Sequence, residues 1–495
     1  MLRKVRITLA AVFYVLITLL LLDFTGVTYQ WLGWMAKVQF LPAVLALNAV
    51  VIVALVLLTL VFGRIYCSVI CPLGVMQDVV SWIHGRKKKN RFTYSGAKNW
   101  LRYPLLVLLV VGVALGIGII VTVLSPYGTY GYIVNNLFQP LYIWCNNGLA
   151  AIAEHYDSYA FYSKEVWLKS VPVLAVSAVL FVAICVLAWR GGRTYCNTIC
   201  PVGTVLGFVS RFSWLKVHFD ADKCKNCGLC SKNCKASCID FKTHTVDYSR
   251  CVTCGNCIEK CNFGALSYAH APQKAAEAKA EATAETTDTT RRAIIVGAAI
   301  VGAEAAMGQL KKVDGGMTVL QDRETPERDV IPTPPGSLSV KNMEQRCVGC
   351  QLCISKCPNG VLRPSSDPMR FMQPEMNFDR GFCRPECTTC SDVCPAGAIQ
   401  PISVADKSST QIGHAVWRRQ YCVVLTDEVD CGNCARHCPT GAIQMVPSDP
   451  NDYTSIEIPV VNTEKCIGCG SCEYVCPARP HAAMYVEGHE VHKTV

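Results

Sequence analysis

The chain has 495 residues, enough for several domains, and 31 of them are cysteine. An odd cysteine count arranged in C-x-x-C runs argues against a secreted disulfide framework and points to metal-bound thiolates. The net charge is +10, but the basic residues cluster beside apolar runs, where Lys and Arg orient membrane segments, so a nucleic-acid partner is not expected.

Four apolar runs lie near residues 5–22, 41–62, 103–124 and 171–189. Each is long enough to cross a bilayer, which takes about 20 residues. Arg3, Lys4 and Arg6 precede the first run, Arg86, Lys87, Lys88, Lys89 and Arg91 separate the second from the third, and Arg190 and Arg193 follow the fourth. The loops at 23–40 and 125–170 are poor in Lys and Arg. The positive-inside rule therefore puts both ends of this unit in the cytoplasm. The first run is read as a retained helix, because it lacks a clear small-residue cleavage site.

The second and fourth runs end in the same motif. GRIYCSVICPLG at 63–74 and GRTYCNTICPVG at 192–203 share G-R-x-Y-C-x-x-I-C-P-x-G, 129 positions apart. The proline after each second cysteine suits the first position of a new helix. The two copies offer four thiols, Cys67, Cys71, Cys196 and Cys200, as a candidate membrane redox site. The residues leave several readings open: an iron–sulfur cluster or other metal, a thiol–disulfide pair, or packed turns with small buried cysteines. Gln77 and Asp78 follow the first copy; they could hydrogen-bond a quinone head group, but a solvated helix start is the expected reading.

Residues 224–234, CKNCGLCSKNC, and 251–261, CVTCGNCIEKC, repeat C-x2-C-x2-C-x3-C. In such two-cluster modules three cysteines of one run join the last cysteine of the other. This predicts one 4Fe-4S cluster on Cys224, Cys227, Cys230 and Cys261, and a second on Cys251, Cys254, Cys257 and Cys234. Zinc sites use paired rather than triplet spacing. Two departures stand out: Lys235 and Asn262 replace the proline after the fourth cysteines, and the extra Cys238 competes with Cys234 as a ligand.

An Ala-rich, charged linker follows at 271–290. Arg291 and Arg292 then precede a Gly/Ala-rich apolar run to 312, expected to be a twin-arginine export signal or a fifth crossing. A Pro-containing link at 313–345 leads to four further cysteine runs. Crossed pairing gives four sets: Cys347, Cys350, Cys353 with Cys394; Cys383, Cys387, Cys390 with Cys357; Cys422, Cys431, Cys434 with Cys476; and Cys466, Cys469, Cys472 with Cys438. The total is six clusters on 24 cysteines, leaving the four repeat cysteines, Cys145, Cys185 and Cys238. His437 is not needed as a ligand beside four thiolates. No P-loop, dinucleotide fingerprint or haem-attachment motif occurs.

These motifs, in this order, resemble known proteins. Residues 1–270 resemble the NapH/MauN family of membrane ferredoxins, and residues 290–495 resemble NapG, an exported four-cluster ferredoxin. The resemblance implies a four-helix membrane domain at 1–215 with a fifth helix or signal at 291–312. It also implies α+β bacterial ferredoxin-like domains at 216–270 and 346–495. The first ferredoxin domain is expected in the cytoplasm and the second outside an inner membrane. The implied activity is oxidation of membrane quinol, with electrons passing through the clusters to an exported or membrane-associated reductase. Two alternatives are an electron donor that matures or reactivates a metalloenzyme, and a polyferredoxin without quinone chemistry.

Overall fold

The computed structural model describes residues 2–87, 92–158, 161–167, 169–270 and 323–494. The linker at 271–290 and the Arg291–Arg292 segment lie outside these residues.

From the N terminus run α1 (Leu2–Leu22), α2 (Val27–Lys37), α3 (Phe40–Leu45), α4 (Ala49–Phe62), α5 (Tyr66–Val69), α6 (Pro72–Lys87), α7 (Asn99–Leu115), α8 (Gly118–Leu124) and α9 (Pro126–Ile133). A π-helical turn, Val134–Phe138, leads into α10 (Gln139–His155), then α11 (Val171–Gly191), α12 (Thr194–Thr198) and α13 (Pro201–Val209).

Among the described residues two helices, α1 and α11, are long and apolar enough to cross a membrane. The other two expected spans are broken. The run at 41–62 splits into α3 and α4, because Leu47 adopts φ 55° and the Asn48 side chain accepts a hydrogen bond from Val51 N as an N-cap. The run at 103–124 splits into α7 and α8 at Gly116, which ends α7 with φ 75°. Hydropathy averages over one or two such residues, so the sequence alone merges the pieces.

The segments expected as plain loops are also structured. Residues 23–48 hold α2 and α3. Residues 125–155 hold α9, the π turn and α10. All eight residues of α9, PYGTYGYI, are buried. Its depth is fixed by Tyr130, whose hydroxyl is 2.6 Å from Thr18 Oγ1 and whose ring lies 5.7 Å from that of Tyr14. Both partners sit in the C-terminal half of α1. Such short, kinked backbone at this depth is tolerated where protein surrounds it.

The first ferredoxin module has β1 (Leu215–Phe219), β2 (Ile239–Asp240), β3 (Thr245–Val246) and β4 (Leu266–His270), with β1 antiparallel to β4 and β2 to β3. It docks where α4 ends and α11 ends. Trp214 N donates to Leu60 O (2.6 Å), Tyr268 Oη to Phe62 O (2.9 Å) and Arg193 N to Lys235 O (2.8 Å).

The second module has β5 (Leu362–Pro364) paired with β6 (Pro374–Met376). Further on, β7 (Thr410–Trp417) pairs with the last strand, β10 (Met484–Thr494), and β8 (Ile443–Asp449) with β9 (Asp452–Val461). It docks at the opposite ends of the same helices. Lys356 Nζ meets Asp23 Oδ2 after α1 (2.6 Å), Gln345 Nε2 donates to Ala114 O near the end of α7 (3.3 Å), and Tyr29 Oη donates to Asp392 O (2.8 Å). Part of the expected linker at 313–345 belongs to this module. Arg328 pairs with buried Glu473 (2.5 Å), and Val330 N donates to Glu487 Oε1 (2.6 Å). The helical unit thus lies between two cysteine-rich modules.

Candidate redox centres

The two sequence repeats meet as reciprocal halves of one site. Cys67, Cys71, Cys196 and Cys200 are each 5% exposed and lie in one core cluster. Pro72 opens α6 and Pro201 opens α13, so each second cysteine caps a helix. Cys200 Sγ accepts from Gly203 N (3.4 Å). Burial pushes the Cys71 and Cys200 thiols well up, and the neighbouring thiols add to this. Four thiolates here would need compensating positive charge, which a coordinated metal would supply.

The arginines of the motif cross over. Arg64 of the first copy donates to Cys196 O (3.3 Å) and Asn197 Oδ1 (3.1 Å) of the second, and its Nη2 lies 3.7 Å from Cys67 Sγ. Arg193 of the second copy donates to Cys67 O (2.5 Å) of the first. Both guanidinium groups are completely buried. The last glycine of each motif leaves room for the other copy's arginine. A Cβ on Gly74 would stand 2.4 Å from Cys67 O and 2.7 Å from Arg193 Nη1. One on Gly203 would stand 2.3 Å from Cys196 O and 2.7 Å from Arg64 Nη2. Sequence reading stressed the thiols and missed these four residues. The signal was available, since both copies retain Arg and Gly at matching positions.

The expectation of a solvated helix start at Gln77 and Asp78 is corrected. Gln77 is fully buried and donates to Cys196 Sγ (3.2 Å). Asp78 accepts from Arg193 (2.7 Å), Lys235 (2.5 Å) and Arg6 (3.2 Å). Burial alone would raise its pKa, but Arg193, Lys235 and Arg6 outweigh this and hold the carboxyl far below the ordinary range. The sequence hid this because its three partners come from distant segments.

The ferredoxin cysteines gather around small cavities. Cys224, Cys227, Cys230 and Cys261 line one, and Cys357, Cys383, Cys387 and Cys390 line another. Cys234, Cys251, Cys254 and Cys257 line a third, with Cys238 also in its wall. Cys234 and Cys238 are 3.5 Å apart at sulfur, so both can reach an occupant. The walls are otherwise mainly apolar. Cys353 lies beside Cys347, Cys350 and Cys394; Cys434 beside Cys422, Cys431 and Cys476; and Cys469 beside Cys466 and Cys438. Cys472 neighbours Cys466 and Cys469.

Backbone geometry suits anionic sulfur. The residue after the middle cysteine of a triplet repeatedly takes positive φ: Gly228 (67°), Gly255 (73°), Gln351 (59°) and Gly470 (78°). Amides then turn toward sulfur, as in Asn226 N to Cys224 Sγ (3.3 Å), Ala442 N to Cys438 Sγ (3.2 Å) and Ala483 N to Cys476 Sγ (3.2 Å). Such N–H···S contacts stabilise bound clusters and tune their potentials. His437 is engaged with Asn433 O (2.9 Å). Cys145 is exposed on α10 and Cys185 half-buried on α11, apart from these sets.

The gathered sets form a continuous series. Arg64 also donates to Ser249 O (3.0 Å), two residues before Cys251, linking the four-thiol site to the first module. On its other side Tyr195 lies beside Thr129 and Tyr132 of α9. The same helix meets the second module at Gly131, where an added Cβ would be 2.4 Å from Cys350 O; Asn135 Nδ2 donates to that oxygen (3.2 Å). From there Cys353 neighbours Cys390, Cys383 N donates to Cys469 O (2.9 Å), and Cys472 neighbours Cys434.

Comparisons with known proteins agree with this chemistry. A family profile described as "4Fe-4S binding domain" matches residues 44–91 and 173–220, one match over each CxxxCP copy. A "4Fe-4S dicluster domain" profile matches 346–410 and 429–479, and another 4Fe-4S binding profile matches 244–267. The methylamine utilization ferredoxin-type protein MauM of Methylobacillus flagellatus is 32% identical over 165 residues, 32% of this chain and 70% of MauM. MauN of the same organism is 29% identical over 192 residues, 38% of this chain and 55% of MauN. The ferredoxin-type protein NapF of Escherichia coli is 26% identical over 160 residues, 32% of this chain and 86% of NapF. With 4Fe-4S domains in both halves and these relatives, the chain belongs to the NapH/MauN-type family of ferredoxin-type electron-transfer proteins.

Proposed function

We propose that the chain is a multi-pass inner-membrane quinol dehydrogenase component that passes electrons to a partner reductase. Bound by the cysteine sets above, six 4Fe-4S clusters supply one-electron carriers, and the CxxxCP thiols hold a seventh metal centre. The observation that carries this reading is the position of Cys67, Cys71, Cys196 and Cys200 between two ferredoxin modules docked at opposite ends of one helical unit. A hydrocarbon layer of about 30 Å is too thick for direct transfer between the modules, and a centre between them divides the distance. Arg64, Arg193 and Gln77 orient Cys67 and Cys196, and the two guanidinium groups offset thiolate charge. The α9 segment excludes water and lipid from the gap to Cys350. The expected four crossings would be α1, α4, α7 and α11, of which α4 and α7 are the shorter apolar helices. Anaerobic purification followed by mixing with a soluble quinol analogue tests the reading. Rapid bleaching of the iron–sulfur absorbance, and iron near 24 atoms or slightly above per chain, is expected. Reduction by dithionite but never by quinol would overturn the quinol assignment.

A further inference from the structure

A cleft of about 1000 Å³ opens between α1 and α6 beneath the first ferredoxin module. It is too large for an ion or cluster. Its lining is apolar at Ala10, Tyr14, Val75 and Val79. Six cations, Arg3, Arg6, Arg86, Lys232, Lys235 and Lys260, also line it, with Asp78 as the one carboxylate among the described lining residues; Arg6 and Lys235 pair with Asp78, and Arg3 with Glu259. Arg6 is 6% exposed, and its Nε has no hydrogen-bond partner. An apolar channel with a cationic head region fits an amphiphile, its tail among the helices and an oxygen-bearing head at the mouth.

The surroundings choose which amphiphile. Lys235 follows Cys234 directly in sequence. Leu229 and Asn256, also in the lining, open the short helices that carry Cys230 and Cys257. Asp78 bonds Arg193, which itself donates to Cys67 O. One cleft thus borders both cysteine sets of the first module and, through a single ion pair, the four-thiol site. A structural lipid has no use for this adjacency, whereas a two-electron donor feeding one-electron carriers requires it.

We propose that this α1–α6 cleft is where membrane quinol binds and is oxidised, an assignment that rests on the function proposed above. The quinol gives up two electrons and two protons and leaves as quinone. The electrons would depart singly to the cluster that the Cys251 set would hold and to the metal centre proposed at the four thiols. The protons pass to water at the cleft mouth. The cations favour loss of the first phenolic proton, which otherwise has a pKa of about 10.

The test uses the full-length, cluster-loaded protein in lipid nanodiscs with a photoreactive azidoquinone, and peptide mapping of the cross-link. Labelling within residues 3–15 or 75–86, competed by a quinol analogue, is expected. Ala10→Trp and Val79→Trp should lose the label and quinol-driven reduction while dithionite still reduces every cluster. If a variant fails to load clusters, the wild-type map decides alone. A label instead on the polar cleft at Asn135–Lys169, with quinol reduction intact, overturns the cleft assignment and leaves the function standing. Neither label nor quinol reduction overturns both. A phospholipid held in the cleft in native mass spectra and not displaced by quinone makes it a lipid site and overturns the proposal.

Discussion

The motif glycines show how a redox site is built from residues that carry no redox chemistry. Gly74 and Gly203 are needed for the space they leave, because each faces a backbone carbonyl and the opposite copy's buried guanidinium. Gly74→Ala would therefore push Arg193 from Cys67 O. We expect a loss of about 1–3 kcal/mol from overpacking, measured by denaturant titration, and loss of any metal signal that exceeds the six-cluster spectrum. Arg193→Lys, which keeps the charge but not the forked geometry, should spare much of the stability and still weaken the thiol-site signal. Unchanged spectra in both variants would reduce the crossed arginines to packing. The cysteine triplets were legible in the sequence because C-x2-C-x2-C is local: a turn and a short helix bring three thiols together. The arginine crossing was not, since it joins residues more than a hundred positions apart whose charges look, in sequence, like ordinary membrane flanks.

Among the elements, α9 was the least legible. PYGTYGYI is too short for a span and has no polar face, so periodicity gives no sign that it is buried all round. Its glycines are the structural clue: Gly128 and Gly131 let the Val348–Cys350 loop approach, an added Cβ standing 2.0 and 2.4 Å from the two carbonyls. Gly131→Ala should loosen this contact. The first module and thiol site should then still be reduced by quinol, while reduction of the Cys347–Cys394 set slows, as read by freeze-quench EPR. Equal rates in wild type and variant would remove α9 from the route. The end of β10 makes a separate prediction. His492 is packed against Thr333 Oγ1 (3.1 Å), and burial, with His489 adding, lowers its pKa to about 4. The unfolded strand end takes up a proton below about pH 6.5, which the folded form resists. Local stability is thus full above that pH and falls as pH drops toward 4. Hydrogen exchange at residues 484–494 should rise between pH 7 and 5.5, after correction for intrinsic rates. His492→Gln should abolish the rise.

At the scale of the molecule, the two ferredoxin modules grip opposite ends of the helical unit, and this decides whether electrons move along the membrane or across it. The first module sits against Arg3, Phe62 and Arg193, the helix ends beside the basic segments. The second sits against Asp23, Ala114 and Glu165, the ends whose connecting segments are poor in Lys and Arg. On the membrane reading proposed above, the positive-inside rule would put the first in the cytoplasm and the second outside. The export signal or crossing expected at 291–312 lies between the two modules in sequence, outside the described residues. If the second module is exported, its clusters would have to be loaded first in the reducing compartment, as a twin-arginine route permits. In intact spheroplasts, protease should therefore digest residues 323–494 and spare 216–270. A Lys–Lys change at Arg291 and Arg292 should protect the second module and leave the first loaded and reducible. Protection of residues 323–494 in wild-type spheroplasts would put both modules on one side. The opposed docking surfaces would then have to be met with no membrane between them, and α1 and α11 would be apolar core helices instead of spans.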